Sequence, residues 1–445
     1  MHLTLENTEA TLLDTHLESQ NLYSEFIRDQ NFAVIPSFIL ESGEELLNCQ
    51  IAYKTWGQLS ARKDNVLVVC HALTGSSDLV DWWRPLFGPG KALDPTRYFI
   101  FSANTLGSPY GSSSALTLDP RTKAPYGSNF PNTTIRDDVR AQKLVLDALG
   151  IISVAAAVGG SMGGMHALEW TLCTPRNYVK SLVAVATSLY HSAWGIAWAE
   201  TQRQAIYMDP VFDEGNYEQN PMGQPAAGMT AARMIAMLTY RSSESFVARF
   251  GRKENTTARQ GVKVRNIAPH LSRPVSANKN IDMRPLSRNS DPYFSVQGYL
   301  DYQGSKFLSR FDANCYLHLL KKMDSHDICR GRTTNKNGIS HSDDVIKAVC
   351  SRAPFGALVV GVSSDVLFPV AEQKHIVDVL PEAKLRILQS RNGHDGFLLE
   401  FEELNRLIIE HLQGKHPEMY KGAPTPYQVP SLVYQRAPSM VGEME

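Results

Sequence analysis

Val158-Gly159-Gly160-Ser161-Met162-Gly163-Gly164 decides how this 445-residue chain is read. It follows an apolar run, residues 154–158, and opens a helical pattern over 165–172. Strand, then Gly-x-Ser-x-Gly, then helix is the setting of a nucleophile elbow, a turn sharp enough to lift a serine hydroxyl clear of the chain. Gly159 and Gly163 suit such a turn because a Cβ at either place would crowd it. The hydroxyl then stands at the carboxyl end of a strand with a helix N-terminus behind it. A glycine-rich turn without chemistry would read the same way, so the rest of the chain must supply the partners.

Working outward, residues 66–71 and 98–104 are short apolar runs of the kind buried on both faces of a parallel sheet. Residues 137–149 carry an amphipathic helical pattern stopped by Gly150. A further strand is expected near 179–186. After a long interruption the pattern resumes with a strand over 357–362, a helix over 370–379, a strand over 385–388, a loop over 390–396 and a closing helix over 397–412. Residues 38–44 and 48–56 read as two strands around a Ser-Gly turn, an antiparallel start. Strands alternating with helices predict an α/β fold with a mostly parallel sheet and helices on both faces.

The interruption, residues 188–338, reads as an inserted helical lid with helices over 193–207, 230–240 and 312–323. Within it, residues 252–288 are aperiodic and hold nine Lys/Arg against Glu254 and Asp282. That composition is expected to be a disordered surface loop; attraction of phosphates is the other reading. The organisation predicted is a polar N-terminal extension over 1–30, a sheet core split into 31–187 and 339–414, the lid between, and a loose tail over 415–445.

The bulk composition excludes several classes of function. Net charge is −1 and 43% of residues are hydrophobic, an ordinary globular balance with no basic excess that points to nucleic acid. No apolar run reaches 18 residues, so no membrane span is expected. The first 30 residues resemble neither a secretory signal nor a transit peptide. Six cysteines lie scattered with no C-x-x-C pair, which predicts reduced thiols in the cytoplasm and no zinc site. No metal constellation, Gly-x-Gly-x-x-Gly or P-loop is present, and no permanently bound cofactor is expected.

A serine hydroxyl needs a base in hydrogen-bond reach, and the base needs an orienting carboxylate. Behind an elbow the chain order is Ser, then Asp or Glu, then His. Asp365 lies just past the strand at 357–362, where ligand-facing residues collect. His394 lies between Gly393 and the Asp395-Gly396 pair directly after the last strand, where the chain can bend an imidazole inward. The other histidines after Ser161 fall on helices, in the lid, in polar stretches or too late. Ser161, Asp365 and His394 are therefore the expected catalytic set. The oxyanion hole is expected from the backbone amides of Met162, after the nucleophile, and Leu73, in the loop after an early strand.

With these residues in view, the chain resembles the homoserine O-acetyltransferase family, its fungal members most of all. The resemblance is carried by the stretches 51–57, 71–78, 81–83, 104–111, 134–140, 160–165, 231–233 with 239–241, 311–316 and 393–398. It implies an α/β-hydrolase fold with a helical lid and a ping-pong transfer of acetyl from acetyl-CoA, a co-substrate, to the side-chain hydroxyl of L-homoserine in methionine biosynthesis. It also implies a homodimer formed through the lid. An amino-acid acceptor needs a cation for its carboxylate and an anion for its ammonium. Arg233 and Tyr240, seven apart on one helical face, and Asp395, beside the base, stand at the matching positions. The sequence departs from the family at Ala115, where relatives usually carry proline, in a loop expected near the acyl pocket. Related activities on L-serine or on a specialised metabolite alcohol such as deacetylcephalosporin, and an esterase of the same fold, share the triad and the lid.

Overall fold

The structure is a computed structural model and describes residues 7–13, 21–254, 293–332 and 342–427. From residue 255 on, the basic stretch expected to be disordered lies outside the described residues. Among those described, nine strands form one sheet: β1 (Thr11–Leu13), β2 (Asn31–Ile39), β3 (Glu45–Trp56), β4 (Val66–Cys70), β5 (Phe99–Ala103), β6 (Val154–Gly160), β7 (Leu182–Val185), β8 (Leu358–Val362) and β9 (Lys384–Leu388). Their order is β1-β2-β3-β5-β4-β6-β7-β8-β9. The first four in that order pair antiparallel, and from β5 to β9 every pairing is parallel.

The alternation of side chains divides the core in two. Val66, Val68 and Cys70 of β4 enter one hydrophobic cluster, Leu67 and Val69 the other. α1 (Leu79–Trp83) and, from the far end of the chain, α12 (Phe401–Lys415) cover the second face. α2 (Ile135–Ala148), α3 (Met162–Cys173), α9 (Asp343–Cys350) and α10 (Val370–Val379) cover the first. The lid leaves the sheet after β7 and returns at β8. It holds α4 (Ala193–Tyr207), α5 (Ala226–Tyr240), α6 (Ser243–Phe250), α7 (Ser295–Leu308) and α8 (Ala313–Asp324), and a short α11 (Gly396–Leu399) follows β9.

Three expectations need correction. The extension over 1–30 is not a loose appendage where it is described. Thr11–Leu13 pairs with β2, and Tyr23, Ile27 and Gln30 are buried. Gln30 donates to the Tyr110 carbonyl and accepts from Asn104 and Ser77, so it ties the N-terminal segment to the loops above the sheet. The tail is docked as far as Tyr427: Arg97 donates to the Met419 carbonyl, Thr425 donates to the Thr96 carbonyl, and the Tyr427 ring packs on Phe87. α1, α6, α7 and α9 were not expected as helices.

Candidate active site

β6 and α3 join at the turn that holds Ser161, and the glycines explain its shape. A Cβ on Gly159 would stand 2.0 Å from the Gly163 carbonyl oxygen, and one on Gly163 would stand 2.2 Å from the Cys70 carbonyl oxygen. Those approaches bring the elbow, its helix and the end of β4 into backbone contact. Ser161 itself has φ 58° and ψ −127°, a conformation that side-chain-bearing residues rarely adopt. The strain is held from both sides. Ser161 N donates to the Val185 carbonyl at 2.9 Å, and Thr187 Oγ1 donates to the Ser161 carbonyl at 2.8 Å.

Ser161 Oγ lies 2.8 Å from His394 Nε2, and His394 Nδ1 lies 2.7 Å from Asp365 Oδ2. The pairing that satisfies both bonds has the serine hydroxyl donating to Nε2 and the Nδ1–H donating to the carboxylate. Asp365 is fixed in turn, because its Oδ1 accepts from the Leu367 and Phe368 amides at 2.8 and 2.9 Å. One carboxylate thus makes the local turn and aims the imidazole. Burial pushes the His394 imidazole down, but the Asp365 carboxylate outweighs it, with help from Asp395 and Glu372, and the net shift is upward. Such a chain can pass the serine proton to the imidazole as Oγ attacks a carbonyl carbon.

Leu73 and Ser161 line one pocket, and Met162 follows Ser161 at the start of α3. Neither the Leu73 nor the Met162 amide donates to a protein acceptor among the described residues, which leaves both for a developing oxyanion. Arg233, Tyr240, His394 and Asp395 line the same pocket. The Arg233 guanidinium carbon stands 4.9 Å over the Phe307 ring and 5.7 Å over Tyr240, and its Nε and Nη1 are buried without a hydrogen-bond partner. Two buried guanidinium N–H groups without a protein partner leave a site that a ligand carboxylate can complete. Asp395 brings the opposite charge to the same space; burial pushes its carboxyl up, and Arg241, His394 and Arg233 pull against that.

The loop over 111–116 does not line this pocket. Ala115 is buried beside Phe130 and Leu317 in a separate cleft, so the alanine does not touch the space around Ser161.

Beneath the elbow lies a set of buried charges that spacing did not reveal. His166 of α3 has Nδ1 2.9 Å from the Met162 carbonyl and Nε2 2.8 Å from Asp138 of α2. Lys322 of α8 reaches the same carboxylate at 2.5 Å and donates to the Leu106 carbonyl at 2.7 Å. Burial alone would push the Asp138 carboxyl up, but Lys322 and His166 hold it below the usual range. On the same side, Glu169 of α3 accepts from Arg136 at 3.1 Å and from Arg332 at 2.5 Å. The signal available was a pair of acids, Asp137 and Asp138, at a helix start. Thr134 is the N-cap and Asp137 closes the capping box with it, while Asp138 points inward.

A family model described as the alpha/beta hydrolase fold matches residues 65–401. The homoserine O-acetyltransferase of Emericella nidulans is 42% identical in an alignment that covers 95% of this chain and 94% of that protein. The crystal structure of homoserine O-acetyltransferase from Staphylococcus aureus matches with a TM-score of 0.62 at 29% identity, over 86% of this chain and 94% of that one. The acetyl esterase MekB matches with a TM-score of 0.70 at 25% identity, over 88% of this chain and 100% of that one. Likeness of this extent covers the sheet, the lid and the elbow together, and the chain belongs to the homoserine O-acetyltransferase family, on the α/β-hydrolase fold.

Proposed function

We propose that this chain transfers an acetyl group from acetyl-CoA to the side-chain hydroxyl of L-homoserine by way of an acetyl-Ser161 intermediate. The observation that carries the reading is the pair of opposite charges beside the serine. The unpartnered guanidinium of Arg233 and the carboxylate of Asp395 line the pocket into which Ser161 opens. A zwitterionic acceptor matches both charges, whereas transfer to water calls on neither.

In the first half-reaction Ser161 Oγ attacks the thioester carbonyl carbon while its proton moves to His394 Nε2. The amides of Met162 and Leu73 donate to the oxyanion. The tetrahedral intermediate collapses, the C–S bond breaks, and the imidazolium returns the proton to the departing thiolate. In the second, His394 takes the homoserine hydroxyl proton and the alkoxide attacks the acetyl carbon. The bond to Ser161 Oγ breaks, and Oγ recovers the proton. Asp365 stabilises the imidazolium in both. Arg233 and Tyr240 orient the acceptor carboxylate, and Asp395 its ammonium. A homodimer, a cytoplasmic location and a place in methionine biosynthesis belong to the same reading and rest on the family alone. Among the described residues no helix is long and apolar enough to cross a membrane.

CoA release from acetyl-CoA, read with a thiol reagent, tests the proposal. Release is expected to need L-homoserine and to vanish in Ser161→Ala. Equal release with no acceptor would make the chain a hydrolase, and dependence on L-serine would change the acceptor.

A further inference from the structure

The end of α5 runs into the loop that carries His394. Gly393 has φ 68°, and a Cβ there would lie 2.6 Å from the carbonyl carbon of Arg241, so lid backbone rests directly on loop backbone. Ser242 Oγ donates to the Arg391 carbonyl, and Arg241 Nη2 donates to Asn392 Oδ1 at 3.1 Å. Arg241 Nη1 stands 3.7 Å from Asp395 Oδ2 and has no hydrogen-bond partner of its own. The Arg241 side chain is only 7% exposed. A guanidinium stays charged when buried, so this one sets a permanent positive charge against Asp395 from the lid side.

We propose that Arg241 is a positioning residue for acceptor recognition: from the lid it holds the His394 loop and the Asp395 carboxylate in the state that receives the ammonium of an amino-acid acceptor. This rests on the functional reading above. An ammonium is bound by a carboxylate through charge-assisted bonds, and far less well by a neutral acid. Burial pushes the Asp395 carboxyl up, and Arg241 is first among the groups that pull it down, followed by His394 and Arg233, while Asp365 adds to the rise. Tyr240 and Tyr299 face the same carboxylate, and Lys306 lines the pocket. Without the Arg241 charge, Asp395 takes up a proton at higher pH, and the acceptor must displace it. Acyl transfer to Ser161 involves no ammonium and feels the Asp395 charge only through its lesser effect on His394.

The experiment measures homoserine KM by CoA release for the parent, Arg241→Gln and Arg241→Lys from about pH 6 to about pH 9, the range in which buried carboxyls titrate. The burst of CoA without acceptor is recorded alongside. Gln retains a donor for Asn392 and carries no charge. Its KM relative to the parent should be raised about tenfold or more at the acid end and fall as pH rises, with the burst rate far less affected. Lys should restore most of the loss. In an Asp395→Asn background Arg241→Gln should change KM no further, since the two act through one group. Arg241→Met serves the same comparison should the Gln variant not fold. A KM ratio flat with pH, an equal loss in burst and KM, or additive effects in the Asn background would overturn the inference. A parent without homoserine-dependent release would overturn the functional reading and this one with it. A working parent with a flat ratio would overturn this one alone.

Discussion

Lys322→Met tests what seats the lid on the core. Lys322 Nζ and Asp138 Oδ2 are 2.5 Å apart with both side chains 0% exposed, and the same ammonium satisfies the Leu106 carbonyl. Methionine keeps the length and apolar volume of the lysine stem but leaves a buried carboxylate without its cation. Removing one partner of a buried pair costs about 3–5 kcal/mol, because the remaining charge stays desolvated. The Leu106 amide and His166 still contact Asp138, which argues for the lower half of that range. Unfolding entropy of about 2.1 cal/mol/K per residue over a chain of 445 residues converts that lower half to a fall in Tm of ~3–4 °C. Differential scanning fluorimetry or calorimetry at fixed pH and salt reads it directly. The double variant Asp138→Asn, Lys322→Met removes both charges and should recover more than half of the loss. A single variant within about 1 °C of the parent would refute the reasoning, since the pair would then contribute less than its desolvation argument requires. So would a double variant that falls by the sum of the two singles.

Three further outcomes follow from the site. Arg233→Ala should lower kcat/KM for L-homoserine by about 30-fold to several thousand-fold, the range for losing one partner of a buried charge contact, while the CoA burst from acetyl-CoA survives; equal loss in both half-reactions would remove Arg233 from the acceptor site. Asp365→Asn should cut kcat by about 10⁴-fold and move the acid limb of the pH profile to lower pH. Burial already pushes the His394 imidazole down, and the carboxylate that outweighs it would be gone; a limb that stays in place or moves up would contradict that sign. Gly163→Ala should abolish acetyl-enzyme formation, because the new Cβ would sit 2.2 Å from the Cys70 carbonyl oxygen; mass spectrometry that still finds acetyl on Ser161 would show that the elbow can yield.

Much of the architecture was legible because its causes are local. The helices over 193–207 and 370–379 match the expectation residue for residue, and β4 and β6 lie where the apolar runs are. The elbow was legible for the same reason, since two glycines around a serine answer to a turn only a few residues long. Asp365 and His394 were found through chain order and strand ends, and the structure places His394 between its two partners, 2.7 Å from Asp365 and 2.8 Å from Ser161. The helices missed, α1, α6, α7 and α9, lie next to or soon after polar or small-residue stretches, where composition outweighs periodicity. The N-terminal strand and the docked tail were missed because their stability comes from partners. Thr11–Leu13 is three residues long and exists as a strand only by pairing with β2.

What the sequence determined by itself is therefore the parallel sheet, the nucleophile turn and the order of the three groups that meet there. Each of these is set by short-range periodicity, by glycine sterics or by the fixed order of elements in this fold. What only the tertiary structure decided is which charges are buried together. Asp138 and Lys322 are 184 positions apart, and Arg136 and Arg332 converge on Glu169 from 33 and 163 positions away. Arg241 meets Asn392 across 151 positions. The physical reason is that a charged side chain reads as solvent-facing until a low-dielectric surrounding and an opposite charge are both in place, and only folding brings the two together.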